Sequence, residues 1–210
     1  MVIVGLTGSI GMGKSTAANH LRSLGLPIHD ADAAVHEMMA AGGEAVAAVA
    51  AAFPGAVRAG AVDRDALGAV VYADPAALAR LEAIIHPLVR HREEDFLRRN
   101  GLRGAVIAVL DIPLLFETHG DRRVDATIVV SAPAFLQAQR VLRRPGMTAE
   151  RLARIRAQQM PDAEKRRRAD FVIQTGLGKD RSLRELTAIV RVLAGRKGRH
   201  WPPPEGRQHA

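Results

Sequence analysis

The chain has 210 residues, of which 48% are hydrophobic and 25% are charged, and it contains no cysteine. These proportions are typical of a folded globular protein and exclude collagen-like, coiled-coil and disordered chains. The lack of cysteine excludes disulfides, thiolate metal sites and thiol nucleophiles, and it fits a reducing compartment. No uncharged stretch approaches the roughly 18 residues of a membrane helix, and no basic segment precedes the first apolar run, so we expect a cytoplasmic protein without a membrane partner.

The formal net charge of +8 is concentrated in one internal segment and in the carboxy-terminal tail. The segment from Arg140 to Arg168 contains ten lysines and arginines and three acidic residues. The segment from Gly195 to Ala210 contains four lysines and arginines and one acidic residue. Such a segment fits binding of polyphosphate or of nucleic acid, although most charge runs are solvated helix faces. Aromatic residues make up only 3% of the chain, so few side chains are available for stacking on bases, and we expect no nucleic-acid partner.

The first predicted elements are a strand, a glycine-rich loop and a helix. The β-branched apolar run over residues 1–6 is typical of a buried strand. Apolar residues then recur at helical spacing over residues 14–24, where glycine and proline end the pattern. Ile28 marks a short second strand, and Asp30 and Asp32 follow at or just past its carboxyl end.

The rest of the chain continues to alternate helices with strands. Residues 33–100 are alanine-rich with a helical pattern and no strand pattern, and His86-Pro87 interrupts one of the helices. Apolar runs predict three further strands and a last helix, over Ala105–Leu110, Ala126–Val130, Phe171–Ile173 and Leu183–Leu193. This order predicts an α/β fold of three layers, a parallel sheet with helices on both faces.

The loop after the first strand carries a specific motif. Its residues Gly8-Ser-Ile-Gly11-Met-Gly13-Lys14-Ser15 match G-x-x-x-x-G-K-[ST], in the strand-to-helix context that the motif requires. Glycines let backbone N–H groups surround phosphate oxygens, Lys14 adds a positive charge, and the Ser15 hydroxyl can join a Mg²⁺ shell. We therefore predict a nucleoside triphosphate site formed by Gly8, Gly11, Met12, Gly13, Lys14, Ser15 and Thr16.

Three aspartates are candidates for the chemistry beside that loop. Phosphoryl transfer to an alcohol needs a group that takes the proton of the hydroxyl. Asp30 or Asp32 can be that base while the other holds Mg²⁺-bound water, but either can equally cap the next helix. Asp111, which ends an apolar run, is a candidate Mg²⁺ ligand, although aspartate is also common at strand ends.

Three arginines follow the third long strand. The spacing of Arg140, Arg143 and Arg144 predicts that they share one helix face. Guanidinium groups there can neutralise charge on a transferring phosphoryl group. If they lie on a mobile helical flap, the flap can also keep water away from the triphosphate.

His86 is a more ambiguous candidate, because a lone histidine is more often structural than catalytic.

The chain combines the motifs LTGSIGMGKST, DAD at Asp30–Asp32 followed by His36, VDRDALGAVVY, LEAIIHPLV, DIPLLFE, Gln139-Arg140 with Arg144, RIRAQQMPDAEK and ADFVI. Together, these motifs resemble the dephospho-CoA kinase family, from about Val2 to Leu193. The first motif is shared with many kinases, whereas DAD, the HP segment and PLLFE are far more particular to this family.

The resemblance implies transfer of the γ phosphate of ATP to the ribose 3′-hydroxyl of dephospho-CoA, the last step of coenzyme A synthesis, with Mg²⁺ as cofactor. It implies that Asp32 is the general base and that Arg140 and Arg144 lie in a lid over the phosphates. It also implies that His86 and Pro87 belong to a helical lobe that receives the acceptor.

The family pattern implies one phosphate-loop kinase domain over residues 1–194. Its core is expected in residues 1–32, 101–136 and 169–194, the acceptor lobe in 33–100 and the lid in 137–168. We expect residues 195–210 to be a disordered basic tail, and the protein to be a monomer.

One position departs from the family. After ADFVI the family usually has asparagine, a small residue and glycine, whereas this chain has Gln174-Thr175-Gly176. If the asparagine of the family holds the adenine of ATP through its side chain, Thr175 has no amide for that contact, and the selectivity for the nucleotide base is an open question.

Three other functions remain open on the sequence. Another phosphate-loop kinase, acting on a nucleoside monophosphate or a sugar acid, would share Gly8–Ser15 but has no reason to carry DAD together with His86-Pro87. A GTPase would carry an N-K-x-D motif, which the sequence lacks. An RNA-binding or regulatory ATPase would use the basic segment and the tail.

Overall fold

The computed structural model describes residues 1–202, and the chain divides into two compact units. The first unit combines residues 1–29 with the chain from Arg99 onward, and the second comprises Asp30–Arg98. No helix of the described residues is long and apolar enough to cross a membrane.

The strands are β1 (Val2–Thr7), β2 (Ile28–Asp30), β3 (Val57–Arg58), β4 (Ala61–Val62), β5 (Ile107–Asp111), β6 (Ala126–Ser131) and β7 (Phe171–Gln174). The helices are α1 (Lys14–Ser23), α2 (Ala31–Met39), α3 (Val46–Ala52), α4 (Arg64–Val71), α5 (Pro75–Leu102), α6 (Ala134–Leu142), α7 (Ala149–Gln158), α8 (Asp162–Arg168) and α9 (Lys179–Ala194). Short 3₁₀ helices cover Pro54–Ala56 and Gly120–Arg123.

A five-stranded sheet in the order β2-β5-β1-β6-β7 forms the centre of the fold. β1 pairs in parallel with β5 and with β6, and β6 pairs in parallel with β7. Every residue of β1, β5 and β6 is buried, as expected for a parallel sheet that is covered on both faces. The predicted α/β fold is therefore confirmed.

Each unit has its own apolar core. In the first unit, buried residues of β1, β5 and β6 pack with Leu21 of α1 and with Leu186 and Leu193 of α9. In the second unit, the core contains Met38, Val49, Phe53, Leu67 and Ile85.

A small hairpin corrects the prediction that residues 33–100 contain no strand. β3 and β4 pair antiparallel, with Val57 opposite Val62. The turn residues Ala59 and Gly60 have φ values of 48° and 76°, and tight two-residue hairpin turns of this kind require positive φ. Two-residue strands carry no periodic pattern, and the turn lacks the usual Asn-Gly pair, so the sequence has no signal for this hairpin.

Helix α5 also corrects a prediction, because it continues through Pro87. We expected an interruption there, since proline lacks an N–H and crowds the preceding turn. Ile85 and Leu88, on either side of the proline, pack in the apolar core of the second unit. This burial keeps the helix continuous despite the lost hydrogen bond.

The chain beyond α9 is held against the first unit as far as the structure describes it. Asp125 accepts hydrogen bonds from the backbone N–H groups of Ile3 (2.8 Å), Arg199 (2.6 Å) and His200 (3.3 Å). One carboxylate thus joins this segment to the start of β1. The expectation of a disordered tail for residues 195–210 stays a prediction: the structure describes residues 195–202 with these contacts, and residues 203–210 lie outside the described part of the chain.

Candidate active site

The loop between β1 and α1 lies against the end of β6. A Cβ on Gly8 would come within 2.7 Å of the carbonyl oxygen of Val130, so only glycine fits there. Gly13, the N-cap of α1, has a φ of 96°, which other residues adopt only with strain. The loop is thereby tightly wound at the carboxyl edge of the sheet, as the motif predicts.

The start of α1 suits an anion. Lys14 opens the helix, and Ser15 and Thr16 are exposed in its first turn, which contains no acidic residue. The first N–H groups of a helix lack partners within the helix and carry partial positive charge. The phosphate loop therefore combines backbone donors, two hydroxyl groups and a lysine.

Lys14 forms an ion pair with Asp111, the last residue of β5. Its Nζ lies 2.6 Å from Oδ1 of Asp111, and the two side chains are 17% and 3% exposed. The pairing register explains the contact, because Asp111 lies opposite Leu6, just before the loop. The structure thus brings together two of the predicted site residues.

Two glutamines from the α6–α8 segment hold the phosphate loop at Ile10. Nε2 of Gln137 donates to the carbonyl oxygen of Ile10 (2.8 Å), and the Ile10 N–H donates to Oε1 of Gln159 (3.2 Å). Arg156 in turn donates to Oε1 of Gln137 through Nε (2.9 Å) and through Nη2. The sequence motifs did not single out Gln137, whose partners are far away along the chain.

Arg140 is held beside the same loop. Its Nη1 donates to Oγ1 of Thr175 (3.0 Å) and its Nη2 to the Thr175 carbonyl oxygen (2.9 Å), while Nη1 lies 3.4 Å from the carbonyl oxygen of Gly11.

Arg143 and Arg144 do not share the arrangement of Arg140. Helix α6 ends at Leu142, before Pro145-Gly146, and both arginines are exposed. The prediction of one common helix face is therefore wrong.

Glu117 and Lys165 form a buried ion pair close to the loop after β5. Lys165 Nζ lies 2.9 Å from Oε1 of Glu117 and donates to the carbonyl oxygen of Pro113 (3.2 Å). That carbonyl also accepts from the hydroxyl of Thr7 (2.9 Å), and Glu117 accepts from the N–H of Met160 (2.8 Å). These contacts tie α8 to the strand end next to the phosphate loop.

Asp32, His86 and Pro87 belong to the second unit. Asp30 is the N-cap of α2, where its Oδ1 accepts from the N–H of Ala33 (3.0 Å), so the capping alternative applies to Asp30. Asp32 is exposed in the first turn of the same helix. His86 and Pro87 are exposed on α5.

Charged side chains organise the surface of the second unit. Arg92 pairs with Glu37 (2.9 Å) and Glu44 (2.5 Å). Asp63 caps α4, and the backbone N–H of Ala66 lowers the pKa of its carboxyl below the usual value of 3.8. Arg92 and Asp63 therefore have structural partners within the second unit, and of the two aspartates of DAD it is Asp30 that caps α2.

Comparison with known proteins places this geometry in a family. A family model described as dephospho-CoA kinase matches residues 2–179. A dephospho-CoA kinase of Paramagnetospirillum magneticum is 66% identical over 195 residues, 93% of this chain and 92% of that protein. A dephospho-CoA kinase of Rhodospirillum rubrum is 58% identical over 201 residues, 95% of each chain.

Solved structures agree with this relationship. A crystal structure of a Thermus thermophilus protein matches with a TM-score of 0.82 at 38% identity, over 94% of this chain and 98% of that one. A dephospho-CoA kinase from Campylobacter jejuni matches with a TM-score of 0.63 at 22% identity, over 91% and 96% of the two chains, which shows a common fold. Since the family model spans most of the sequence and relatives above 50% identity match over nearly their whole length, the chain belongs to the dephospho-CoA kinase family.

Proposed function

We propose that the loop Gly8–Ser15 holds the triphosphate of ATP, that Asp32 takes the proton of the acceptor hydroxyl, and that Arg140 balances charge on the transferring phosphoryl group. As a member of its family, the enzyme catalyses the final step of coenzyme A biosynthesis, the phosphorylation of dephospho-CoA by ATP. The observation that carries the proposed ATP site is the Lys14–Asp111 pair beside the phosphate loop.

The proposed ATP site uses the backbone N–H groups of the loop and the first turn of α1. Gly8, Gly11, Met12 and Gly13 shape the loop, and Lys14 contributes its charge to the β and γ phosphates. Ser15 and Thr16 are exposed at the same helix end, within reach of an anion bound there. When ATP is bound, Lys14 contacts phosphate oxygens in place of the carboxylate of Asp111.

The donor set fits Mg²⁺. The Ser15 hydroxyl and the Asp111 carboxylate are hard oxygen ligands, and they belong to adjacent parts of one unit. These two residues would hold the ion together with phosphate oxygens and water. Bound there, Mg²⁺ would offset the negative charge of the triphosphate.

In the proposed reaction, the ribose 3′-oxygen of dephospho-CoA bonds to the γ phosphorus of ATP. The bond between that phosphorus and the β–γ bridging oxygen breaks, ADP leaves, and the hydroxyl proton passes to the Asp32 carboxylate. Asp32 is supported as the base because it is exposed and lies two residues beyond the end of β2, a strand of the same sheet as β1.

The remaining proposed roles concern binding. Arg140 is supported by its contact with the phosphate loop, and Arg144 by its exposure four residues further along the chain, since an exposed guanidinium is available to bind phosphate. His86 and Pro87 are proposed acceptor contacts because both are exposed on α5. Monomeric state and a cytoplasmic location are further proposals, the latter supported by the absence of cysteine.

The test is an acceptor panel with ATP and Mg²⁺, in which ADP is measured with dephospho-CoA, AMP, adenosine, gluconate or no acceptor. We expect turnover with dephospho-CoA to exceed that with the other acceptors by about 10²-fold or more, because remote binding energy is used in the transition state. The new phosphate should be an ester of the ribose 3′-oxygen, as read by ³¹P NMR. ADP release that does not depend on an acceptor would instead indicate an ATPase, and a preference for AMP or gluconate would indicate another kinase.

A further inference from the structure

Thr175 lies directly after β7, beside the phosphate loop. Its backbone N–H donates to the carbonyl oxygen of Ser131 (2.8 Å), the last residue of β6. Its side chain is half-buried. The sheet therefore fixes where this side chain stands.

The hydroxyl of Thr175 has partners on two sides. It donates to the carbonyl oxygen of Met12 in the phosphate loop (2.7 Å) and accepts from Nη1 of Arg140 (3.0 Å). A hydroxyl has one hydrogen to donate and two lone pairs that accept, so it can make both bonds at once. The same atom thus joins the loop to the arginine.

Thr175 orients the guanidinium of Arg140 at two points. Besides the bond to the hydroxyl, Nη2 of Arg140 donates to the Thr175 carbonyl oxygen (2.9 Å). The guanidinium is planar and its donors are rigidly spaced, so two bonds to one residue fix its plane.

The methyl group of Thr175 faces the loop as well. A Cβ on Gly13 would lie 3.2 Å from Cγ2 and 3.3 Å from Oγ1 of Thr175, so the Thr175 side chain occupies the space beside Gly13. Thr175 therefore touches the two residues that precede Lys14, one through a hydrogen bond and one through packing.

We propose that Thr175 is a positioning residue for phosphoryl transfer, which couples the guanidinium of Arg140 to the Met12–Gly13 backbone of the phosphate loop. The inference rests on the proposed role of Arg140 in the reaction. Thr175 binds no reacting atom itself; it acts by holding one charged group and one stretch of loop in register. Without the hydroxyl, the Met12 carbonyl loses a hydrogen-bond donor and Nη1 of Arg140 loses an acceptor.

The test compares Thr175→Val, which keeps the shape but removes the hydroxyl, with Thr175→Ser, which keeps the hydroxyl. For Thr175→Val we expect kcat to fall about 10- to 100-fold, with KM for dephospho-CoA changed by less than about 2-fold, because an interaction that serves the transition state is lost. Thr175→Ser should keep kcat within about 3-fold of wild type. Wild-type kcat in Thr175→Val, or an equal loss in Thr175→Ser, would overturn the proposal.

A double-mutant cycle shows whether the effect passes through Arg140. In an Arg140→Ala background, Thr175→Val should lower kcat by a much smaller factor than it does in the wild-type enzyme, because the guanidinium is already absent and only the contact with the loop remains to be lost. A full loss in that background would contradict the coupling. Should Thr175→Val fail to fold, Thr175→Ala against Thr175→Ser makes the same comparison.

The affinity for ADP, measured calorimetrically without an acceptor, separates this proposal from the proposed function. Thr175→Val should bind ADP about 3- to 10-fold more weakly, since the Met12 carbonyl loses its anchor. Unchanged ADP affinity would overturn the proposal whatever the acceptor is. A wild-type enzyme that ignores dephospho-CoA would overturn the proposed function, while the ADP comparison would still test the contact between Thr175 and the loop.

Discussion

Lys14 and Asp111 bring opposite charges within 2.6 Å where α1 begins and β5 ends. With side chains 17% and 3% exposed, the two charges are poorly screened by water and interact strongly. A triphosphate that attracts Lys14 must compete with this carboxylate. In the proposed mechanism the same exchange frees Asp111 for Mg²⁺, so nucleotide and metal are expected to bind together.

Replacement of Asp111 by asparagine should therefore strengthen nucleotide binding without Mg²⁺ and lower turnover with Mg²⁺. We expect Asp111→Asn to bind Mg²⁺-free ADP about 3- to 10-fold more tightly, because the competing negative charge is gone. We expect its kcat with Mg²⁺ and ATP to fall about 10- to 100-fold, because a metal ligand is lost. Calorimetry with EDTA and steady-state kinetics measure the two effects.

The matched control is Asp180→Asn, which makes the same charge change at an exposed position in the first turn of α9. Asp180→Asn should leave the affinity for Mg²⁺-free ADP and the kcat with Mg²⁺ and ATP within about 2-fold of wild type, since exposed charges are well screened. Weaker binding of Mg²⁺-free ADP by Asp111→Asn would contradict the proposed exchange.

At the scale of elements, the segment α6–α8 is attached to the phosphate loop and to the end of β5 by buried polar groups. Gln137 and Gln159 hold Ile10, and Lys165 holds Glu117 and Pro113. Lys165 is fully buried, so its charge depends on these partners for compensation. The segment α6–α8 is thus held next to the phosphate loop by contacts near its two ends.

Removal of the Lys165 charge should destabilise the fold. We expect Lys165→Met to lower the free energy of unfolding by about 3–5 kcal/mol, because the Glu117 carboxylate is left without its cation. Chemical denaturation measures the change, and Lys179→Met, at an exposed lysine, is the control with an expected change of about 0.5 kcal/mol or less. Adding Glu117→Leu to Lys165→Met should restore part of the loss, and a Lys165→Met protein as stable as wild type would show that the pair is unimportant.

At the scale of the whole molecule, several side chains of the basic segment are engaged in contacts within the fold, and two of them, Lys165 and Arg168, form ion pairs. Arg156 binds Gln137, Lys165 binds Glu117, and Arg168 pairs with Asp121 at 2.9 Å. Arg140 is committed to Thr175. The concentration of positive charge that the sequence shows thus reflects internal contacts as well as solvated helix faces.

Local patterns predicted the elements that depend on local physics. The strands of the sheet were recognisable because continuous apolar runs mark buried parallel strands, and the phosphate loop because glycines and Lys14 recur at fixed spacing. The β3–β4 hairpin and the continuity of α5 were missed, since two-residue strands have no period and burial around Pro87 overrides a local preference.

Contacts between distant parts of the chain were beyond such patterns. Thr175 and Met12 are 163 positions apart, and Lys165 and Pro113 are 52 apart, so no spacing rule links them. Asp30 and Asp32 were equivalent as candidates on spacing, and only the structure assigns the cap of α2 to Asp30. The family resemblance supplied the role of Asp32, which composition and spacing left open.

The central claim, that Asp32 takes the proton of the acceptor hydroxyl, is tested most directly by kcat of Asp32→Asn at saturating ATP and dephospho-CoA. The matched control is Asp30→Asn, which removes a carboxylate two residues away but keeps an oxygen that accepts from the N–H of Ala33. We predict that Asp32→Asn lowers kcat by about 10²- to 10⁴-fold, while Asp30→Asn stays within about 5-fold of wild type. Wild-type turnover in Asp32→Asn, or an equal loss in both variants, would contradict the account.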